Sequence, residues 1–356
     1  MADGPRDATR DAPSRRGVHF PHDTPPAPGE VIEIADGVLW ARLPLPMRLD
    51  HVNVYLLDDG DGWTVIDTGI RGKAGRAAWR ALEDGPMGGR PITRIVVTHH
   101  HPDHIGGAGG LMERHGAPLW TTRTAYLMTR MLQLDHHDAA PESSVRFYVR
   151  GGASAERLEA YKNGPQFNFS RMTEPLPIGF RRIREDEVLT MGGRRWRVLM
   201  GDGHAAEHAT FWSLDDDLVL TGDQVIPGIS SNLGVHPTEP EADPVGDWLA
   251  SCEKLAPHAR ESHFALPGHK LPFTGLPVRL DQLISNHHNA IERLRGHLTA
   301  PHTAAECFVP VFGRELEASA FGLGLIEAVA HLNYLYLRGE CSRELCADGA
   351  YRYRIA

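Results

Sequence analysis

The chain has 356 residues, 41% of them apolar and 23% charged, a balance that excludes a disordered or fibrous chain and suits one large globular domain with a smaller appendage. Its formal net charge of -9 disfavours a general nucleic-acid binder, which needs clustered Lys and Arg in excess of the surrounding carboxylates. Cys252, Cys307, Cys341 and Cys346 lack metal-finger spacing and read as reduced thiols, no apolar run approaches a membrane span of about 18 residues, and Met1 to Glu30 lacks the apolar middle of a secretory leader, so a cytoplasmic protein without a membrane partner is expected.

Residues 1–29 mix Arg, Asp, Pro and Gly without hydrophobic periodicity, a composition that cannot offset the entropy of ordering, and are expected to form a disordered arm. Short β-rich runs then follow at Val31 to Ile34, Val38 to Leu43, His51 to Leu57 and Trp63 to Asp67. With turns at Asp36-Gly37 and Asp59-Gly60 they predict an antiparallel meander. Lys73 to Leu82 carries helical spacing, Ile92 to Thr98 is a nearly continuous apolar strand, and Ile105 to His115 starts a further helix. Between Thr121 and Pro175 helical spacing among polar residues, as in Thr124 to Leu134 and Ala153 to Lys162, indicates a helical insertion. Strand patterns return at Glu187 to Thr190, Arg195 to Leu199, Thr210 to Leu214 and Leu218 to Thr221. Leu276 to Leu298, Thr303 to Val309 and Glu317 to Arg338 are amphipathic, and Tyr351 to Ile355 reads as a last strand. The main domain is thus expected over 30–272, with the helical insertion at 121–175, and a helical C-terminal domain over 273–356.

The strongest local signal is Thr98-His99-His100-His101-Pro102-Asp103-His104, which closes an apolar strand and precedes a helix. Functional side chains gather where a rigid strand hands over to a loop, and this run offers more ligands than one zinc ion can use. A solvated turn rich in His is the plain alternative in a chain with 21 histidines. Three further loops weigh against it: Gly201-Asp202-Gly203-His204, Thr221-Gly222-Asp223 and Leu266-Pro267-Gly268-His269 each follow an apolar strand and each deliver an imidazole or a carboxylate. Solvation does not explain four such groups in the same topological position.

The order His-x-His-x-Asp-His, then a glycine-flanked His, then Gly-Asp, then Gly-His resembles the metallo-β-lactamase superfamily over residues 31 to 270. The resemblance implies an α/β fold, an αββα sandwich holding two metal ions. It assigns His99, His101 and His204 to one ion and Asp103, His104 and His269 to the other, with Asp223 bridging. Asp67, in Ile66-Asp67-Thr68-Gly69, resembles the family's buried acid that orients the first metal loop, and His208 is taken as structural rather than as a rival of His204. The expected cofactors are two Zn²⁺ ions, although iron and manganese tolerate similar His and Asp sets. The implied chemistry is attack of a hydroxide held between the ions on an ester-type carbonyl, with Asp103 also moving the proton.

Asp103 departs from the zinc β-lactamases of the antibiotic-resistance type, which lack an Asp at that position, so a thioester is the first expected substrate and a lactone the second. Two other classes stay open. One is phosphodiester hydrolysis of RNA, because the last helices and strand look like the winged-helix-like domain of small endoribonucleases in the same superfamily. The other is a metal-bearing effector without turnover. A small-molecule acyl substrate is the expected partner. Ser230, Ser231 and Asn232, after Asp223, and Lys270, beside His269, are candidate substrate contacts, with an ordinary turn-rich loop as the alternative. Arg279, Arg293 and Arg295 could meet an anionic substrate tail or simply face water. Tyr126, Met128, Met131, Phe147, Tyr148, Phe167 and Phe169 of the insertion could roof a pocket or form a homodimer contact.

Overall fold

The computed structural model describes residues 17–356. The β-branched and aromatic runs near the N-terminus form β1 (Ile32–Ala35), β2 (Val38–Pro44), β3 (His51–Asp58) and β4 (Trp63–Ile66), paired antiparallel in chain order as the meander predicts. After α1 (Lys73–Asp84), β5 (Ile92–Val96) lies parallel to β4. The helix expected from Ile105 is two pieces, α2 (Pro102–Ile105) and α3 (Ala108–His115), which lead to β6 (Leu119–Thr121). The insertion supplies α4 (Arg123–Leu134), α5 (Glu142–Arg150) and α6 (Ala155–Asn163) before β7 (Arg181–Arg182) completes a seven-stranded sheet in the order β1 to β7.

The second half repeats the design. β8 (Val188–Met191), β9 (Arg194–Gly201), β10 (His208–Ser213) and β11 (Leu218–Gly222) run antiparallel. α7 (Pro244–Leu255) then crosses over to β12 (Phe264–Pro267), parallel to β11, with β13 (Phe273–Thr274) at the edge of this six-stranded sheet. The C-terminal domain comprises α8 (Leu276–His297), α9 (Phe308–Phe312), α10 (Phe321–Leu337) and a hairpin of β14 (Cys341–Leu345) with β15 (Tyr351–Ile355).

Three apolar layers follow from the alternation of side chains across each strand. Tyr55, Leu57, Ile66 and Val96 of the first sheet pack against Trp196, Val198, Phe211 and Leu220 of the second. Val54, Leu56, Val65 and Ile95 face the opposite way, onto Trp79 and Leu82 of α1 and Leu111 of α3. Leu199, Val219 and Ala265 on the outer face of the second sheet meet Trp248 and Cys252 of α7 and Leu280 and Leu283 of α8. That gives the αββα sandwich. The last cluster runs on without a break into Leu325, Val329 and Leu332 of α10 and Tyr353 of β15, so the C-terminal domain shares its core with the second sheet.

Several expectations need correction. The arm proposed over residues 1–29 lies outside the described residues up to residue 16, but from residue 17 onward it is packed: Val18 is buried, and His19 pairs with Thr274 on β13. That pairing, and β13 itself, extend the main domain past the expected boundary at residue 272. α7 was not among the expected elements, although Val245, Trp248, Leu249, Cys252 and Leu255 recur at helical spacing, Asp243 caps it through Gly246 N and Pro244 opens it. β6, β7 and β14 are too short or too polar to carry a period-2 signal. Ala318–Leu337 does reach the length and apolarity of a membrane span, and it does so as a core helix with 56% of its most apolar window buried in the protein. Cys252, Cys307 and Cys341 are buried, and the four cysteines are unpaired.

Phe211 is fully buried between the two sheets. Phe211→Ala is therefore expected to lower unfolding stability by about 3–5 kcal/mol, read from urea or thermal unfolding. A loss below about 1 kcal/mol would mean that the sheets do not meet there.

Candidate metal centre

The two parallel pairs, β4 with β5 and β11 with β12, bring the carboxyl ends of those strands to one edge of the sandwich, and β9 points the same way through β10. Loops leaving that edge carry Asp67, the run from His99 to His104, His204, Asp223 and His269. Ligand sites of α/β sheets form at such carboxyl ends because the strands fix where the loops start.

The seven predicted ligands converge. His99, His101 and His204 place ring nitrogens within 4.8 Å of one another, as do the ligand atoms of Asp103, His104 and His269, and those of His99, His104 and Asp223. His101 Nδ1 lies 3.1 Å from His99 Nε2 and 3.0 Å from His204 Nε2. Asp223 faces both groups: Oδ2 is 3.4 Å from His204 Nε2 and 3.3 Å from His269 Nε2, and Oδ1 is 3.4 Å from His104 Nε2. Asp103 Oδ2 is 3.3 Å from His269 Nε2. Gly268 makes room for this arrangement, since a Cβ there would sit 2.2 Å from Asp223 Oδ1.

Behind most of these imidazoles the opposite ring nitrogen is held. Thr98 Oγ1 gives its one hydrogen to Asp67 and therefore accepts from His99 Nδ1 at 2.9 Å. His104 Nδ1 donates to Asp67 Oδ2 at 2.8 Å, His204 Nδ1 to the Asn232 carbonyl at 2.9 Å, and His269 Nδ1 to the His51 carbonyl at 2.7 Å. Each of these bonds turns the other ring nitrogen toward the pocket. His208 is not in the set; its Nε2 accepts from the Asp223 amide at 3.0 Å and so fixes the loop that carries the carboxylate.

Charge in the pocket is unevenly placed. Burial holds the His99 and His101 imidazoles well below the ordinary histidine value, helped by the neighbouring rings. Burial also opposes charge on His104, but the Asp223, Asp103 and Asp67 carboxylates outweigh it and hold that ring well above the ordinary value. His269 is likewise buried, and Asp223 and Asp103 push it up to about 9. Burial would raise Asp223, yet the His269 and His104 charges hold it well below the usual carboxylate range. His104 Nε2 and Asp223 Oδ1 are buried without a hydrogen-bond partner. Buried polar atoms without a protein partner are what a bound cation would satisfy, and the donor set of imidazole and carboxylate suits a borderline divalent ion.

The candidate substrate contacts divide. Ser230 is exposed. Ser231 is buried and its hydroxyl donates to the Asp223 carbonyl, while the Asn232 carbonyl serves His204 and its side-chain amide donates to Glu327. Both therefore position metal-facing residues rather than offering donors to a substrate. The Lys270 main chain, at φ 70°, donates to His51 and accepts from Arg42 and Asn53. Arg279 is buried against the Ile226 and Ile229 carbonyls, Arg293 donates to those of Pro310 and Val311, and Arg295 pairs with Glu340 and Glu292. Of the three Arg293 is exposed, and its guanidinium is engaged by main-chain carbonyls. In the insertion Tyr126, Phe147 and Phe169 are core, whereas Met131 and Phe167 stay exposed. Sequence reading missed Asn53, whose buried amide donates to the Pro267 and Lys270 carbonyls and grips the His269 loop; the polar residue amid the apolar run Val52 to Leu57 was the available signal.

Comparison with known proteins agrees with this geometry. Residues 47–257 match the family described as the metallo-beta-lactamase superfamily, and residues 291–356 match the metallo-beta-lactamase-like C-terminal domain. The chain is 35% identical to a beta-lactamase domain protein from Burkholderia ambifaria of solved structure, at a TM-score of 0.86, covering 95% of this chain and 98% of that one. It is 26% identical over 310 residues to the probable metallo-hydrolase YqjP of Bacillus subtilis, covering 84% of this chain and 92% of the relative. It is also 27% identical over 215 residues to a hydroxyacylglutathione hydrolase of Xylella fastidiosa, covering 60% of this chain and 57% of the relative. The chain is a metallo-hydrolase and belongs to the metallo-beta-lactamase superfamily.

Proposed function

We propose that the chain is a dinuclear metal-dependent hydrolase of small acyl compounds, acting on thioesters first and lactones second, with zinc as its metal. The observation that carries this reading is the convergence of five imidazoles and two carboxylates, of whose inward atoms His104 Nε2 and Asp223 Oδ1 are buried without a hydrogen-bond partner. His99, His101 and His204 would hold one ion, Asp103, His104 and His269 the other, and Asp223 both. A pair of divalent cations supplies there a nucleophilic oxygen at neutral pH and polarises the carbonyl under attack.

The protein's own groups do the rest. Asp103 is the most solvent-accessible of the two carboxylates, with 17% of its side chain exposed against 7% for Asp223. It faces the mouth, where its outer oxygen can take the proton released on addition and return it to the leaving group. Asp67 fixes the His99 loop through Thr98 and His104 through its ring nitrogen. The preference for a thioester rests on the hydroxyacylglutathione hydrolase relative and on the Asp103-His104 pair. The net charge of -9 opposes an RNA substrate.

Asp103→Asn is expected to leave the fold intact and lower kcat by about 10²- to 10⁴-fold, the usual contribution of a positioned proton carrier. Full turnover at confirmed metal content would reject that role. Protein purified without added ions should carry two equivalents of metal. Stripping them with a chelator should abolish turnover and lower the melting temperature, because ions present at about a thousand times Kd stabilise the folded state by about 4 kcal/mol. Assayed in parallel on an acyl thioester, a lactone and a phosphodiester, the enzyme should rank them in that order, and activity on the phosphodiester alone would overturn the substrate class. Asp67→Ala should weaken metal affinity about 10- to 100-fold without removing a ligand, measured by chelator competition.

A further inference from the structure

The amphipathic pattern of α10 is broken by Glu327, the one charged side chain among Phe321–Leu337. Its carboxyl is desolvated by the surrounding helices and accepts a hydrogen bond from Asn232 Nδ2 at 2.5 Å. Asn232 is the residue whose main-chain carbonyl takes the His204 Nδ1 hydrogen at 2.9 Å. One residue thus has its side chain held by the C-terminal domain and its peptide plane against a metal-facing imidazole.

The surrounding contacts leave this link in control of the carbonyl's direction. The loop between β11 and α7 is pinned upstream by Arg279 of α8, which donates to the Ile226 and Ile229 carbonyls at 2.7 Å each, and downstream by Val235 N, which donates to the Ile326 carbonyl at 3.1 Å. Gly234 permits the close approach to α10, because a Cβ there would lie 2.6 Å from Ile326 Cδ1 and 3.2 Å from Asn232 Oδ1. α10 is itself held in rotation by His331, whose Nδ1 donates to the Glu327 carbonyl and whose Nε2 lies 3.3 Å from His287 Nδ1 of α8. Among the described residues no comparable contact reaches the other group: His269 is backed by the His51 carbonyl and His104 by Asp67, both from the first sheet.

We propose that Glu327 is a positioning residue that acts through Asn232 on His204, so that the C-terminal domain sets the geometry of the His99, His101 and His204 group and leaves the Asp103, His104 and His269 group alone. The inference rests on His204 being a metal ligand. Burial pushes the Glu327 carboxyl up to about 8, so near neutrality it accepts from Asn232 largely as the neutral acid, and a glutamine carbonyl can take its place.

The test uses the full chain and Zn²⁺ as the probe. Stepwise Zn²⁺ affinities are measured by competition with a chromophoric chelator, and the Co²⁺-substituted protein reports the ligand field of each site. Glu327→Ala should weaken one of the two Zn²⁺ equivalents about tenfold, the lower end of what a group behind a metal ligand contributes, and alter one component of the Co²⁺ spectrum. Glu327→Gln should retain both affinities. Asn232→Leu, which removes the donor on the loop side, should weaken the same equivalent, and adding Glu327→Ala to it should cost nothing further, because the link is already cut. Unchanged affinities in Glu327→Ala would overturn the proposal, as would equal weakening of both equivalents together with a lower melting temperature of the metal-free protein, since that marks general loosening. If Glu327→Ala does not fold, Asn232→Leu decides, and unchanged Zn²⁺ affinities in that variant overturn the proposal. Wild-type protein that binds no Zn²⁺ would instead refute the reading of His204 as a ligand.

Discussion

Five imidazoles and two carboxylates converge in one pocket, and the rest of the structure answers to that fact. Ring nitrogens crowd to 3.0 to 3.1 Å at His99, His101 and His204, and a single hydrogen on His101 Nδ1 can serve just one of those two contacts. The side chains therefore have to be held from behind. The Thr98 hydroxyl, the Asp67 carboxylate and the main-chain carbonyls of Asn232 and His51 perform that function, each bound to the ring nitrogen that faces away from the pocket. The rigidity of the backing groups comes in turn from the strands that end beside them.

The same demand explains where the backbone is strained. Among the described residues Asp67, Asp186, Glu207 and Lys270 take positive φ without being glycine. Asp67 and Lys270 adjoin metal-facing loops, and Glu207 precedes His208, which holds the Asp223 amide. Such conformations cost of order 1–3 kcal/mol each and persist where surrounding contacts over-determine them. Asp67 has those contacts: its carboxylate receives the Thr98 amide and hydroxyl as well as the His104 ring. Strain in the main chain is offset by three bonds to one side chain, and the direction of two metal-facing imidazoles is the result.

What the sequence disclosed follows from where its information is stored. All seven converging side chains were legible, because each is a ligand-type residue at the end of an apolar run, and the meander and both sandwich halves were legible through period-2 alternation. The groups behind the ligands were mostly not. The carbonyls of His51 and Asn232 do their work as main chain, which any residue provides, so no residue type marks them. Ser231 and Asn232 looked like substrate donors because their side chains are polar, and the fold turns those side chains to the Asp223 carbonyl and to Glu327. The packing of residues 17–29 comes from scattered single contacts, His19 with Thr274 of β13 and His22 with Trp40 and Phe264 among them, which leave no periodic trace.

The C-terminal domain stands in a different relation to the two halves of the metal pocket. It meets the sandwich through a continuous apolar core, which by itself would hold it in place. Burying polar groups at such a contact is unfavourable unless each finds a partner, and apolar residues would have filled the space at lower cost. Yet Arg279 and Glu327 are both placed there, and both bond to the loop between β11 and α7. Hydrogen bonds are directional where apolar contacts are not, so what these two residues add is the position of a loop rather than adhesion between domains. That loop begins at Asp223, which faces both groups of ligands, and passes through Asn232, which orients His204. The appendage is thus part of the wall of the metal pocket, and the second sheet's share of the ligands is held in place from the far end of the chain.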